Sequence, residues 1–443
     1  MKNLLVSYYG DDFTGSTDVM EALTSHGVAT VLFLDIPSPE LLARFKDCRA
    51  IGIAGTSRSE TPEWMQSHLT PIFEWLKSLG ANFCHYKVCS TFDSSPETGS
   101  IGKAIDIGRT TFKQTIVPVV VGAPQLKRYT AFGNLFAAYQ GSVYRIDRHP
   151  VMSRHPVTPM AEADLTTHLS KQTSLPVALA DLATITASDA DMRVDQLLAD
   201  AIGILFIDVD SEATQAAAGR QLIRLAGRFG GLLAGSSGIE YALLNAWRQS
   251  GNVTGNATFP DVGPVDRIAV VSGSVSPTTE RQIRQAKEDG FAEIALDPLA
   301  LVSDGERAID TAVRKGIEGL NEGRSVILYT ALGPSADVGS DIDRISGARH
   351  TLGRALGTIL RQLVEREGLR RVVIAGGDTS SHALRQLKVE ALTTLLPLPQ
   401  TPGSPLCLAH GSYQPTDGLQ IALKGGQIGM DGYFAQIRDG RTH

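Results

Sequence analysis

The chain has 443 residues, of which 42% are hydrophobic, and it carries a net charge of −6 with a pI near 6.0. This length predicts two or three domains with well-formed cores, and the lack of a long basic run excludes a surface that follows nucleic-acid phosphates. Four cysteines without a CxxC pair disfavour a zinc site or a disulfide framework, and no stretch reaches the roughly 18 apolar residues of a membrane span. The N-terminal apolar stretch is too short for a signal peptide, so we expect a reduced, cytoplasmic protein without nucleic-acid or membrane partners.

Short apolar runs alternate with helical patterns through the first half of the chain. The runs that predict buried strands are NLLVSYY, ATVLFL, AIGIAG, NFCHYKV, TIVPVVVG, AIGILFIDV and GLLAGS. Residues 61–80 predict a helix that ends at Gly80, a residue suited to a C-terminal cap. Its apolar residues approximate the i, i+4, i+7 spacing of a buried face: Trp64, Leu69, Ile72, Phe73 and Leu76. This alternation predicts a mostly parallel sheet covered by helices, with ligands beyond the carboxyl ends of the strands.

The pattern breaks at residues 249–266, which are rich in Gly, Asn, Thr and Pro and lack periodicity, as expected of a linker. Alternation then resumes with RIAVVSGS, SVILYTA, RRVVIAGGDTS and LQIALKGG, and a long helix is predicted at about residues 344–366. We therefore predict an α/β fold of two domains, residues 1–258 and 259–443, each a mostly parallel sheet flanked by helices.

Two adjacent carboxylates, Asp11 and Asp12, follow the first predicted strand in the stretch YYGDDFTGST. One carboxylate is enough to cap the helix that follows, and such a cap is the alternative to a functional role. A second carboxylate adds repulsion, which is tolerated more readily when the pair shares a ligand, a cation or a hydroxyl group. A haloacid dehalogenase-type phosphatase would need Asp-x-Asp-x-Thr, which adjacent aspartates do not match.

Polar side chains also follow two further predicted strands, in GTSRS and HYKVCSTFDSS. These side chains should lie at the same sheet edge as the two aspartates: Arg58, Lys87, Ser90, Thr91 and Asp93. A guanidinium and an ammonium group can hold a substrate carboxylate, while hydroxyls and carboxylates can hold sugar hydroxyls. An ordinary polar loop with internal ion pairs is the alternative.

The tripeptide Arg-His-Pro occurs twice, at residues 148–150 and 154–156. Its prolines predict an extended basic loop that could cover an anionic ligand, and a solvated connection is an equal alternative.

Three glycine-rich turns follow predicted strands in the second half, in VVSGSVSPTTERQI, VVIAGGDTSSHAL and ALKGGQIGMDGYF. Backbone N–H groups at helix N-termini bind phosphate, and glycine allows the phosphate to approach them. The three turns together predict a nucleotide site. Neither GxxxxGK[ST] nor a GxGxxG after a strand is present.

Taken together and in this order, GDDFTGSTD, YKVCSTFDSS, VSGSVSPTTERQI, AGGDTS and ALKGG resemble the four-carbon acid sugar kinase family across the whole chain. The resemblance implies an N-terminal domain that binds a sugar acid and a C-terminal domain that binds ATP. YKVCSTFDSSPETGSIGKA is more similar to the 3-oxo-tetronate and 3-oxo-isoapionate branches than to the threonate branch, and we favour 3-oxo-isoapionate. Where relatives often have Lys-Ser-Gly-Asn-Phe-Gly, this chain has Lys-Gly-Gly-Gln-Ile-Gly at 424–429, which removes any contact from the Ser or Asn side chain.

The resemblance also implies roles for individual residues. Nucleotide contacts are carried to Ser274, Gly376, Gly377, Asp378, Thr379 and Gly425. Acid-sugar contacts are expected at Asp11, Asp12, Arg58, Lys87, Ser90 and Asp93. Asp12 is the candidate base or hydroxyl-orienting group, and Asp378 is its rival or a ligand of the Mg²⁺ that accompanies ATP.

Other functions stay open at this point. They are a threonate or erythronate kinase, a phosphate-releasing hydrolase and a sugar-acid sensor without catalysis. The metal ligands, the hydroxyl that is phosphorylated and assembly into a homo-oligomer are left undecided.

Overall fold

The computed structural model describes residues 3–155, 157–200, 202–334, 345, 347–398, 400–401, 403–426 and 428–441. The chain divides into two compact units. The first unit comprises Met1–Thr30 and Ala43–Ala257, and the second comprises Val31–Leu42 and Thr258–His443. No helix in the described ranges is both long and apolar enough to cross a membrane.

The first unit contains a sheet of seven parallel strands in the order β3-β1-β4-β11-β5-β10-β9. Its strands are β1 Val6–Gly10, β3 Ala50–Ala54, β4 Phe83–Lys87, β5 Val117–Val120, β9 Val177–Ala180, β10 Ile204–Ile207 and β11 Leu232–Gly235. Its helices are α1 Phe13–Ser25, α3 Pro62–Ser78, α4 Ile101–Phe112, α5 Leu165–Ser170, α6 Leu182–Thr186, α7 Ala190–Leu197, α8 Glu212–Phe229 and α9 Gly238–Gln249. Nearly every residue of the central strands is buried, as expected of strands covered by helices on both faces.

A separate antiparallel sheet, β6 Arg128–Ala131, β7 Asn134–Tyr139 and β8 Ser142–Arg145, was not anticipated from the sequence. Its strands are half-exposed and short, so they lack a continuous apolar run. Its turns at Phe132–Gly133 and Gln140–Gly141 have positive φ at both residues, as the tight turns of β-hairpins require. The X-Gly pair in each turn was the available signal.

The second unit contains five parallel strands in the order β13-β14-β12-β15-β18, extended by antiparallel β17, β16 and β2. Its strands are β2 Thr30–Phe33, β12 Ala269–Ser272, β13 Ala292–Ala295, β14 Val326–Tyr329, β15 Arg371–Ala375, β16 Ala391–Leu396, β17 Leu406–His410 and β18 Gln420–Lys424. Its helices are α2 Pro39–Ala43, α10 Pro277–Glu288, α11 Pro298–Ser303, α12 Gly305–Asn321, α13 Ala348–Glu367, α14 Gly377–Gln386 and α15 Tyr433–Asp439. The prediction of an α/β fold with mostly parallel sheets is confirmed.

The predicted helix at residues 61–80 is α3, which Thr61 caps by accepting from Trp64 N at 3.3 Å. Gly80 follows it with φ +68°, the left-handed conformation of a C-terminal cap. The predicted helix at 344–366 is α13, and residues 344 and 346 lie outside the described part of the chain.

Residues 31–42 belong to the second unit, whereas a division at residue 258 alone assigned them to the first. The reason is strand pairing: Phe33 pairs with Ala391 and Leu32 with Leu392 in antiparallel register, and Leu34 N donates to Glu390 O at 3.0 Å. Such long-range pairing leaves no signature in the local pattern of ATVLFL.

Arg371, at the start of β15, is fully buried in the second unit. Its guanidinium donates to the carbonyls of Ile437 and Arg438 at 2.7 and 2.9 Å, and to those of Val262 and Gly263 at 3.3 and 3.1 Å. It therefore attaches the C-terminal helix α15 and the segment before β12 to the N-terminal end of β15. The carbonyls that accept its hydrogen bonds have no partner in the β-sheet.

We expect Arg371→Met to lower the free energy of unfolding by about 2–4 kcal/mol, because these carbonyls lose the hydrogen bonds that the guanidinium donates. Urea unfolding followed by circular dichroism measures the change. The exposed Arg366→Met on α13 is the matched control and should change it by less than about 0.5 kcal/mol. A loss as small as that in the Arg371 variant would contradict the anchoring role.

Candidate active site

Parallel register brings the carboxyl ends of β1, β3 and β4 to one edge of the first unit. Gly10 pairs with Ala54 on one side and with Lys87 on the other. Backbone bonds then join the segments beyond the strands, because Asp11 N donates to Lys87 O at 2.9 Å and Arg58 N donates to Asp11 O at 3.1 Å. The structure thus brings together the polar segments that the sequence placed at strand ends.

Arg58 lies between two carboxylates. Its Nη1 donates to Asp12 Oδ2 at 2.8 Å, and its Nη2 and Nε donate to both oxygens of Asp93 at 2.6 to 3.1 Å. Burial would raise the pKa of Asp93, but the Arg58 charge and the Thr91 hydroxyl, 2.5 Å away, hold it below its ordinary value. The Asp93 side chain has no exposed surface, whereas that of Asp12 is 30% exposed. Asp12 is therefore the carboxylate of this cluster that a ligand can reach.

Lys87 is buried beneath the first turn of α1. Its Nζ lies 4.0 Å from Asp18 Oδ2. Burial lowers the pKa of an ammonium group, but Asp18, Asp11 and Asp12 outweigh burial and raise the pKa of Lys87. A Cβ on Gly15 would lie 2.8 Å from Lys87 Nζ and 2.6 Å from Asp12 Oδ1, so glycine at this position lets both groups approach the helix.

Asp11 and Asp12 occupy different environments although they are adjacent. Asp12 caps α1 by accepting from Gly15 N at 2.5 Å. Asp11 is 3% exposed, and its Oδ1 has no hydrogen-bond partner among the described atoms. Burial, followed by the Asp12 charge, raises the pKa of Asp11 to about 7, against the opposing effect of Arg58 and Lys87. The helix cap that the sequence offered as the alternative to a functional role is present, and it uses only one of the two carboxylates, Asp12.

The loop after β4 carries Ser90, which is half-buried, and Phe92, whose φ of +55° is in the left-handed region. The second Arg-His-Pro segment reaches this loop, because Thr158 Oγ1 donates to Asp93 Oδ2 at 3.1 Å. Thr158 N in turn donates to His155 Nδ1 at 3.1 Å. Part of the basic loop is therefore bonded to the site. Pro156 lies outside the described residues.

Sequence reasoning missed Asp18 and Thr158 in this unit. Asp18 lies within the first helix, and nothing in the local sequence distinguishes it from a carboxylate on the helix surface. The only signal for Thr158 was its closeness to the repeated Arg-His-Pro.

In the second unit, register aligns the three glycine-rich turns at one sheet edge. Ser272 pairs with Ala375, and Ala375 pairs with Lys424, so the turns that follow β12, β15 and β18 are neighbours. Gly376 has φ +123°, and a Cβ there would lie 2.9 Å from Thr379 Oγ1. A Cβ on Gly377 would meet nothing within 4 Å. The first turn of α14 thus presents open backbone, the geometry that suits phosphate oxygens.

The other predicted nucleotide residues lie at the same edge. Ser274 Oγ accepts from Thr279 Oγ1 at 3.1 Å, and a Cβ on Gly426 would lie 2.9 Å from Ser274 Oγ. Gly426 therefore packs directly against the turn after β12. Asp378 is in the first turn of α14, and its side chain lies outside the described set.

Lys424, the last residue of β18, was missed as a functional residue. It is fully buried, and its Nζ donates to Gly425 O at 2.8 Å and to Thr279 Oγ1 at 3.1 Å. Burial lowers its pKa to about 7. The available signal was a lysine directly before the glycine pair in ALKGG.

No group of three or more His, Cys, Asp or Glu side chains in the described ranges is arranged to hold a metal ion.

Two family models match the chain. A sugar-binding N-terminal domain matches residues 6–243, and a nucleotide-binding C-terminal domain matches residues 269–434. The chain is 48% identical to a 3-oxo-isoapionate kinase of Paraburkholderia graminis, over 99% of this chain and 95% of that protein. It is 30% identical to a 3-oxo-tetronate kinase of Methylobacterium radiotolerans, over 99% of both.

Solved structures share the fold. One, from Haemophilus influenzae, aligns with a TM-score of 0.73 at 24% identity, over 98% of this chain and 99% of that one. Another, a Salmonella typhimurium protein described as a putative tRNA synthase, aligns with a TM-score of 0.76 at 22% identity over 98% of both chains. With both domain models matched in order and curated relatives along the full length, this chain belongs to the four-carbon acid sugar kinase family.

Proposed function

We propose that this kinase transfers the γ-phosphoryl group of ATP to a hydroxyl group of 3-oxo-isoapionate, with 3-oxo-tetronate as the second candidate. The observation that supports kinase chemistry is the Arg58 cluster, in which a reachable carboxylate lies beside two cations. The choice of acid sugar is supported by the 48% identity to the 3-oxo-isoapionate kinase, against 30% to a 3-oxo-tetronate kinase.

Arg58 and Lys87 supply the positive charge for the carboxylate of the acid sugar. Nη1 of Arg58 carries two N–H groups and uses one on Asp12, and the other is proposed to bind the substrate. Asp93 supports this arrangement from behind, because both its oxygens are occupied by Arg58 and by the hydroxyls of Thr91 and Thr158. The sequence predicted that Asp93 contacts the sugar directly. In this proposal Asp93 instead acts by holding Arg58 in place.

Asp12 is the group proposed to accept a hydrogen bond from the attacking hydroxyl. It is held on one side by Arg58 and on the other by the N-terminus of α1, so its position is defined before substrate binds. Ser90 is the proposed hydroxyl contact beside it. Asp11 is buried, so we propose that it does not contact the acid sugar directly. It acts on sugar binding through its neighbours Asp12 and Arg58.

In the second unit, the proposed nucleotide contacts are the backbone of the turns and two hydroxyls. The residues are Ser274, Gly376, Gly377, Asp378, Thr379 and Gly425. Mg²⁺ would accompany ATP, where it neutralises phosphate charge. Asp378, beside the glycine pair, is the proposed protein ligand, since one or two carboxylates plus phosphates suffice for Mg²⁺.

A hydrolase and a sensor are not favoured, because the curated relatives are named kinases. A hydrolase would release ADP from ATP without an acid sugar.

A panel of four- and five-carbon sugar acids, assayed with ATP and Mg²⁺ by ADP release, tests the proposal directly. We expect turnover on the order of 1–100 s⁻¹ with a 3-oxo acid and much less with threonate. ADP release that is independent of the acid would instead identify a hydrolase. No release with any acid would count against kinase activity.

Asp12→Asn should lower kcat by roughly 10²–10⁴-fold, because the amide can cap α1 but cannot accept the proton. Its Tm should change little for the same reason. Asp181→Asn, which alters the N-cap of α6 in the same unit, is the control and should leave kcat near that of the wild type. Near-normal turnover in the Asp12 variant would exclude it from the mechanism and favour Asp378.

Gly377→Val should weaken binding of ADP by at least about tenfold while the protein stays folded, because the new side chain enters open space where phosphate is proposed to lie. Calorimetry measures the affinity. Gly305→Val is the matched control, since Gly305 also begins a helix and also faces open space. Equal affinity in both variants would place the phosphates elsewhere.

A further inference from the structure

Lys424 is a buried cation that the second unit provides with neutral partners. Its Nζ donates to Gly425 O at 2.8 Å, to Thr279 Oγ1 at 3.1 Å and more weakly to Gly426 O at 3.5 Å. Within the described part of the chain, no carboxylate lies within ion-pair distance of this ammonium group. A buried charge normally has a counter-charge, and among the described residues this site offers none.

The charged residues on the surrounding elements are directed elsewhere. On α10, Glu280 is held by Arg284 at 2.8 Å. Beyond β18, Asp431 pairs with Arg281 at 3.1 Å. In register on β15, Lys424 faces Ala375, which carries no charge.

Asp378 lies in the first turn of α14, and its side chain lies outside the described set. Burial is the cause that lowers the pKa of Lys424 to about 7, which agrees with the lack of a described counter-ion.

Lys424 also connects two turns of the proposed nucleotide site. Thr279 Oγ1, which accepts from the ammonium group, lies 3.1 Å from Ser274 Oγ and 3.1 Å from Gly426 O. Ser276 N donates to Ser274 Oγ at 3.3 Å. The lysine therefore fixes the turn after β18 against the turn after β12, through a single buried hydroxyl.

We propose that Lys424 is a positioning residue for nucleotide binding: it holds the Gly425–Gly426 turn against Ser274, and a nucleotide phosphate supplies the counter-charge that its ammonium group lacks. This inference depends on the proposed nucleotide site in the second unit. It adds a residue to that site and predicts that a proton enters the protein when the nucleotide binds.

The sign of the proton exchange follows from the two charge states. Without nucleotide, a lysine whose pKa is about 7 is roughly 90% neutral at pH 8. A phosphate nearby favours the charged form and raises the pKa, so binding at pH 8 takes up close to one proton. At pH 6 the lysine is already charged, and uptake from this group should vanish.

The experiment is calorimetry of Mg²⁺–ADP binding at pH 8 in two buffers with different ionisation enthalpies, which yields the number of protons taken up. The phosphates of ADP titrate at roughly pH 6, so they contribute little at pH 8. We expect the wild type to take up a proton and Lys424→Met to take up none, with at least tenfold weaker binding at pH 6.5 in that variant. Lys287→Met, which removes an exposed lysine of α10, is the matched control and should behave as the wild type.

Two further variants separate positioning from general damage. Lys424→Arg keeps the charge at every accessible pH, so it should still bind ADP at pH 8 but without proton uptake. Thr279→Val keeps the ammonium group but breaks its connection to Ser274, so uptake should persist while affinity falls severalfold.

Several outcomes would overturn the inference. Binding by the wild type without proton uptake, or undiminished binding by Lys424→Met, overturns it and leaves the proposed function intact. Undiminished affinity in Thr279→Val overturns the positioning part. Absence of ADP binding by the wild type overturns both the inference and the nucleotide site.

Discussion

The buried pairing of Arg58 with Asp93 is the interaction on which the first unit's site depends. Asp93 is fully buried, and the guanidinium and two hydroxyls help to keep it ionised there. That pairing fixes Arg58, and Arg58 in turn fixes Asp12 at 2.8 Å. The reachable carboxylate is thus placed by a chain of contacts that begins in the core of the unit.

The balance of charge around this pair explains why two adjacent aspartates behave differently. The cluster holds more acids than bases: Asp11, Asp12, Asp18 and Asp93 against Arg58 and Lys87. Two cations can hold only part of this set ionised at low dielectric, so the pKa values of Asp11 and Asp18 rise, whereas Arg58 holds that of Asp93 low. The excess of negative charge therefore acts on Asp11 and Asp18, and Asp12 is the partly exposed carboxylate that a substrate hydroxyl can reach.

The second unit has the opposite imbalance. Its turns present backbone N–H groups and hydroxyls, and Lys424 is buried beside them with neutral partners among the residues that the structure describes. Excess acid suits the binding of sugar hydroxyls, and uncompensated positive charge suits phosphate. The charge of each unit therefore suits the substrate proposed for it, which is the acid sugar in the first unit and ATP in the second.

The sequence by itself determined most strands of the two parallel sheets, the helix at residues 61–80 and the turns that follow the strands; it did not indicate β9 and β13. Apolar runs, helical spacing and glycines are local signals, and the sheets, α3 and the positive φ of Gly376 agree with them. Motif order was enough to identify the family before any geometry was known. The positions of Arg58, Lys87 and the paired aspartates after predicted strands also identified them as candidate site residues, because parallel strands end at a common edge.

Only the tertiary structure decided which of these polar groups are buried and what they contact. The placement of residues 31–42 in the second unit depends on pairing with a strand more than 350 positions away, and the hydrogen bond from Lys424 to Thr279 joins residues 145 positions apart. The difference between Asp11 and Asp12 has the same origin. Burial and charge balance arise from residues distant in the chain, and a pKa responds to that surrounding set of charges, so no local pattern encodes it.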